Sequence, residues 1–192
     1  MKAVRGTAAA LLALLVVTGC SATPSDGKKP SAASASVNPS PVATLPGATD
    51  AAWVQLMTPM NEGAVELLTM AAERSTDPRL RSWAKDLAAA HRTELDRMRA
   101  LLKELGLPST NVHEGHEMPG MVTPGDLKQA RAAEGAAFEK VFVVQIREHL
   151  EQSAHVSRSE VDAGSEASAT KLAAVLVEER ERELDGLKRI AA

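Results

Sequence analysis

Aromatic side chains, cysteine and net charge are all in short supply in this chain. Its 192 residues hold two tryptophans, two phenylalanines, no tyrosine and one cysteine, with a formal net charge of −3. So few rings leave no stacking platform for nucleic-acid bases, and so small a charge gives no electrostatic footprint for a polyanion. A single cysteine allows neither an internal disulfide nor a thiolate metal cluster. Also missing are a Gly-x-Ser-x-Gly elbow, a phosphate-cradling glycine loop and a His-Glu-x-x-His run, so we expect no catalytic residues. Alternating β-branched runs are lacking as well, which removes the competitor to an all-α fold. What the chain does have is 44% hydrophobic residues, mostly Ala, Leu, Val and Met, suited to a helical core.

The lone cysteine has a context. Lys2 and Arg5 precede an apolar run from Ala8 to Val17, followed by Val17-Thr-Gly-Cys20. The run is too short to span a bilayer and reads as a secretory signal, residues 1–19, ending at a lipoprotein-type cleavage site. Cys20 is then the lipid attachment point, and two acyl chains there give stable anchoring where one is marginal. The composition of the rest of residues 20–48, rich in Ser, Ala and Pro, predicts a disordered tether. Its root-mean-square reach is about 30 Å. The expected location is the outer, extracytoplasmic face of the cell membrane, with the membrane as the one partner the sequence names.

Residues 49–192 form the expected folded domain. Thr49-Asp50 reads as the N-cap of a helix reaching about Arg74, with Pro59 predicting a kink within it. Ser75-Thr-Asp-Pro78 is a turn and restart: Asp77 caps and Pro78 takes the first helical position. That second helix runs to about Leu105, where Gly106 ends it. A long connection, Leu107 to about Val122, leads to a short helix from Thr123-Pro124 to about Ala133. Two more long helices follow, over about 136–162 and from near Ser168 almost to the end. Short links within each helix pair and one long link between pairs predict a ferritin-like four-helix bundle with a crossover loop.

The two pairs repeat each other. Met60 and His149 stand 89 positions apart, and the same offset relates His91 to Arg180, Glu94 to Glu183 and Met98 to Leu187. A constant offset across two helices marks a duplicated hairpin. Packed face to face, the hairpins would gather Met57, Met60, His91, Glu94, His149, Arg180 and Glu183 at the bundle's middle.

With these residues laid out, the chain resembles the bacterial family called domain of unknown function 305. The resemblance rests on Met57-Thr-Pro-Met-Asn-Glu-Gly-Ala64, Ser75-Thr-Asp-Pro78, His116-Glu-Met-Pro-Gly-Met121, Asp126-Leu127 and Gly135-Ala-Ala-Phe138. It implies secreted or lipid-anchored ferritin-like proteins, some associated with copper. The family pattern also implies a His-His pair in the first and third long helices, where this chain has Met60-Asn61 and His149-Leu150. It implies Gln on the second and fourth, where His91 and Arg180 stand.

Two residue sets then compete as metal sites. Thioether and imidazole donors at the bundle centre suit Cu(I). A di-iron centre does not fit, because no Glu-x-x-His occurs on the long helices. Against a central site, methionines in a helical stripe are ordinarily core filler, and a guanidinium at Arg180 would take the space and charge a cation needs. The centre therefore reads as an ion-paired polar core in preference to a metal site, with His91 and His149 satisfied by Glu94 and Glu183. The second set is His113, His116, Met118 and Met121 in the long loop, four soft or borderline donors able to wrap one copper ion. His155, Arg158, Glu160 and the run Glu178–Glu183 mostly read as a solvated helix face. The two functions expected are a copper-binding protein that buffers or hands on the ion, and a non-catalytic surface interaction module with an ion-paired centre.

Overall fold

The computed structural model describes residues 47–191. The signal peptide, Cys20 and all of the tether but its last two residues lie outside the described residues. Five helices follow in order: α1 (Ala48–Arg74), α2 (Pro78–Glu104), α3 (Pro124–Ala132), α4 (Gly135–Ala163) and α5 (Ala167–Ala191). No strand occurs among the described residues. The four long helices form the bundle, α1 pairing with α2 and α4 with α5 across three-residue links, and α3 lies in the crossover between the pairs.

Local chemistry accounts for the boundaries. Asp77 accepts from the Arg79 amide at 2.7 Å and Pro78 opens α2, as its sequence predicts. Thr123 and Asp126 close a reciprocal capping box at the start of α3. Near the start of α1 the expectation fails. Gly47 is the N-cap, and Asp50 caps a different helix. α1 continues through Pro59, which lies inside it.

Asp50 is fully buried and its carboxylate accepts from the amides of Ser165 and Glu166 and from the Ser165 hydroxyl, at 2.8–3.2 Å. It thus satisfies free amides ahead of α5. Glu139 of α4 does the same for α2. Its Oε1 accepts from the amides of Thr76 and Asp77 and the hydroxyls of Ser75 and Thr76, at 2.8–3.0 Å. Asp50 and Glu139 are 89 positions apart, and so are the turns they bind. Each hairpin's turn is held by a carboxylate from the other hairpin, which also fixes α1 and α4 as antiparallel neighbours.

The apolar core falls into two clusters. One holds Ala64, Leu67 and Leu68 of α1 with Leu80, Leu87, Phe138, Phe142, Ile146 and Leu187. The other holds Trp53, Val54, Met57 and Met60 with Met98, Leu101, Leu102, Ala173 and Leu176. Met57 and Met60 are thus packed as core, the ordinary use of methionine on a helical stripe. Between the clusters α1, α2 and α5 carry a polar layer: Asn61, then His91 and Glu94, then Arg180 and Glu183.

Glu160 corrects the sequence expectation, since it is 1% exposed rather than part of a solvated face. It sits one turn before the end of α4, against Asp50, and both its carboxylate oxygens lack a hydrogen-bond donor. Burial, followed by the neighbouring Asp50 carboxylate, pushes its pKa up to about 8. A folded-state value above the unfolded one means that this group's contribution is fully present below about 4.5 and is lost as pH rises to about 8. Glu160→Gln should therefore raise the melting temperature at pH 8 relative to wild type and leave it nearly unchanged at pH 4, read by circular dichroism. An equal effect at both pH values would refute the assignment.

Candidate functional site

The polar layer between the two clusters is organised by Arg180, which is completely buried. Its Nη1 and Nη2 meet both oxygens of Glu94, at 3.1 and 2.5 Å. Nη1 also donates to Glu183 at 3.0 Å, Nη2 to the Asn61 carbonyl at 3.5 Å, and Nε to the Ser153 hydroxyl at 2.9 Å. All five guanidinium hydrogens are thereby used, by partners on all four long helices. His91 Nε2 lies 3.3 Å from Glu183, and the His91 backbone carbonyl accepts from Asn61 at 2.8 Å. The His91 and His149 rings stand 5.7 Å apart, as the duplicated layout requires.

His149 departs from expectation in its partner. Its Nδ1 is 3.1 Å from the carbonyl of Gly120, in the crossover loop, and touches no carboxylate. The second nitrogens of the two rings, His91 Nδ1 and His149 Nε2, have no hydrogen-bond partner. His91, Glu94 and Glu183 have ligand atoms within 4.8 Å of one another, the separation a metal site needs. Those carboxylates are already bound to the guanidinium, so a cation there would have to displace a buried positive charge. The residues at the centre do not fit a metal ion.

The crossover loop has a different geometry. His113 and His116 are the ends of one turn, closed by the His116 amide on the His113 carbonyl at 3.0 Å. Met118 and Met121 are the ends of the next, closed in the same way at 3.1 Å. Gly115 and Gly120, third in each turn, have φ of +79° and +72°, the glycine position of a type II turn, and Pro119 precedes Gly120 at its favoured place. The first turn sets the two imidazoles 6.1 Å apart. His113, His116 and Met121 line one cleft of about 380 Å³ against α1, while Met118 and Met121 line an adjoining one of about 430 Å³ against α4. Met118 thus meets Met121 but not the histidine wall. Glu62 and Glu66, which α1 brings to the first cleft, are tied to Arg99 and Arg131.

The family model described as domain of unknown function (DUF305) matches residues 50–191, nearly the whole described chain. The chain belongs to that family. Two solved DUF305 structures share its fold. One, from Streptomyces coelicolor and provisionally described as a secreted protein, has a TM-score of 0.64 at 24% identity, covering 72% of this chain and 89% of that one. The other, a DUF305 fragment from Deinococcus radiodurans, has a TM-score of 0.65 at 20% identity, covering 74% and 94% respectively. No curated protein gives a significant match.

In this DUF305 bundle the charges at the centre follow from burial. Burial, then Arg180, lowers the His91 pKa to about 3, and the same two causes hold His149 well below the usual histidine value. Both rings are therefore neutral at neutral pH. Burial works against ionisation of Glu94, but the bidentate guanidinium overcomes it and the net shift is downward. At Glu183 burial wins and the shift is upward, despite the same guanidinium. Asn61 and Ser153 complete the cluster, and neither residue type marks itself in the sequence as the partner of a buried guanidinium. The available signal for Ser153 was its place one turn after His149 on an inward face.

Arg180→Met would leave two carboxylates buried without a counter-charge. The expected loss is about 3–5 kcal/mol of unfolding free energy in denaturant titrations, partly recovered by adding Glu94→Gln. A loss below about 1 kcal/mol, the level of an exposed pair, would contradict the arrangement.

Proposed function

We propose that this protein is a lipid-anchored, extracytoplasmic copper-binding bundle, and that it buffers or hands on the ion through the crossover loop. The observation that carries this reading is the pair of consecutive turns whose ends are His113 with His116 and Met118 with Met121. Each turn brings like donors together, and Met121 belongs to the walls of both clefts. A ring separation of 6.1 Å is within the span that one ion joins when each nitrogen lies about 2 Å from it. Imidazole plus thioether suits Cu(I) over harder ions.

The anchoring half of the reading rests on the sequence ending in Cys20 and the tether after it. It is supported by the description of the Streptomyces coelicolor relative as a secreted protein. Among the described residues no helix is long and apolar enough to cross a membrane. A second reading, a non-catalytic interaction module, draws on Arg180, whose pairing replaces a central cation with an internal one.

Titration of the full-length protein with Cu(I) against a competing chelator decides between them. Wild type should bind tighter than about 1 μM, and His113→Ala/His116→Ala should weaken binding at least tenfold without changing the melting temperature. Wild-type binding no tighter than micromolar would leave only the interaction module.

A further inference from the structure

The second loop turn lies against the bundle, and one buried side chain holds it there. His149 is completely buried on α4, and its Nδ1 points at the Gly120 carbonyl, 3.1 Å away. A carbonyl only accepts, so Nδ1 carries the hydrogen. Gly120 is itself buried, and a Cβ built on it would stand 2.4 Å from the Gln152 Cβ, so the loop backbone rests directly on α4. On the other side Val122 is 7% exposed and joins the main apolar cluster, with its carbonyl 2.5 Å from where a Cβ on Gly63 of α1 would be. The Met118–Met121 turn is thus fixed at its third residue by His149 and just beyond its end by Val122.

We propose that His149 is a positioning residue for the loop site: by bonding the Gly120 carbonyl it aims Met121 into the cleft lined by His113 and His116. This rests on the copper-binding reading of the loop and adds to it the side chain that orders the donors. His149 itself does not touch the ion. Its role explains why an inward-facing polar residue on α4 hydrogen-bonds to a loop 29 positions away while its neighbour His91 bonds within the central cluster.

The test compares wild type with His149→Leu, which removes the donor, and His149→Asn, whose amide N–H falls near the Nδ1 position. Cu(I) affinity is measured by chelator competition, and the Met118 and Met121 methyl groups are followed by NMR without metal. His149→Leu should weaken Cu(I) binding about tenfold, the low end for hydrogen bonds that orient a metal's ligands, and collapse the two methyl shifts toward random-coil values. His149→Asn should stay within about threefold of wild type and keep the methyl shifts. In a Met121→Leu background the His149→Leu effect should largely disappear, since its route to the ion has been removed. Gly120→Ala, which pushes the turn off α4 and leaves His149 in place, should reproduce the weakening if His149→Leu does not fold. Unchanged affinity in His149→Leu and Gly120→Ala, with wild type still binding, overturns this assignment alone. Failure of wild type to bind overturns the functional reading and this inference with it.

Discussion

A guanidinium removed from water is the constraint to which the middle of this bundle answers. Leaving it unpaired would cost several kcal/mol, so each of its hydrogens must find an oxygen in a fixed direction. Glu94, Glu183, Ser153 and Asn61 supply those oxygens from α2, α5, α4 and α1. The requirement sets the rotation of every long helix about its axis at one level. Apolar packing above and below tolerates small slips of a helix along its neighbour; a five-donor fork does not. The polar layer therefore contributes register more than net stability, because the desolvation of three ionisable groups consumes much of the Coulombic gain.

The same layer settles the chemistry available at the centre. A bundle of this kind is well suited to gather ligands from facing helices. Here the internal cation is covalently attached, and the carboxylates that an ion would use are spent on it. The two imidazoles are kept neutral by burial, and the thioethers of Met57 and Met60 are absorbed into an apolar cluster. Donor groups not spent on that cation are found instead where the backbone leaves the bundle, in the two turns between α2 and α3.

Much of this was legible in the sequence because it depends on spacing. The helical stripes, the Asp77-Pro78 restart and the Gly106 stop gave the long helices to within a few residues. The constant offset of 89 correctly brought His91 and His149 together and put Arg180 beside Glu94. What sequence did not reveal is partnership across the interface. Asp50 reads locally as a cap for its own helix, and nothing within four residues shows that its targets are Ser165 and Glu166. Glu160 reads as one more charge on a helix end until Asp50 is packed on it. The sequence points His149 to a carboxylate because carboxylates are the visible candidates, whereas its acceptor is a backbone carbonyl, which no residue type announces. Local chemistry is written in the chain; long-range hydrogen bonds to the main chain are not.

The reciprocal carboxylates have an evolutionary consequence. A lone ancestral hairpin with this layout could satisfy its turn only by borrowing the acid of an identical copy, so its stable form would have been a twofold dimer. Two such hairpins joined in one chain make that exchange intramolecular and leave the halves free to differ. Within one chain Arg180 can stand in one half where His91 stands in the other, whereas in a symmetric pair each guanidinium would face its own image.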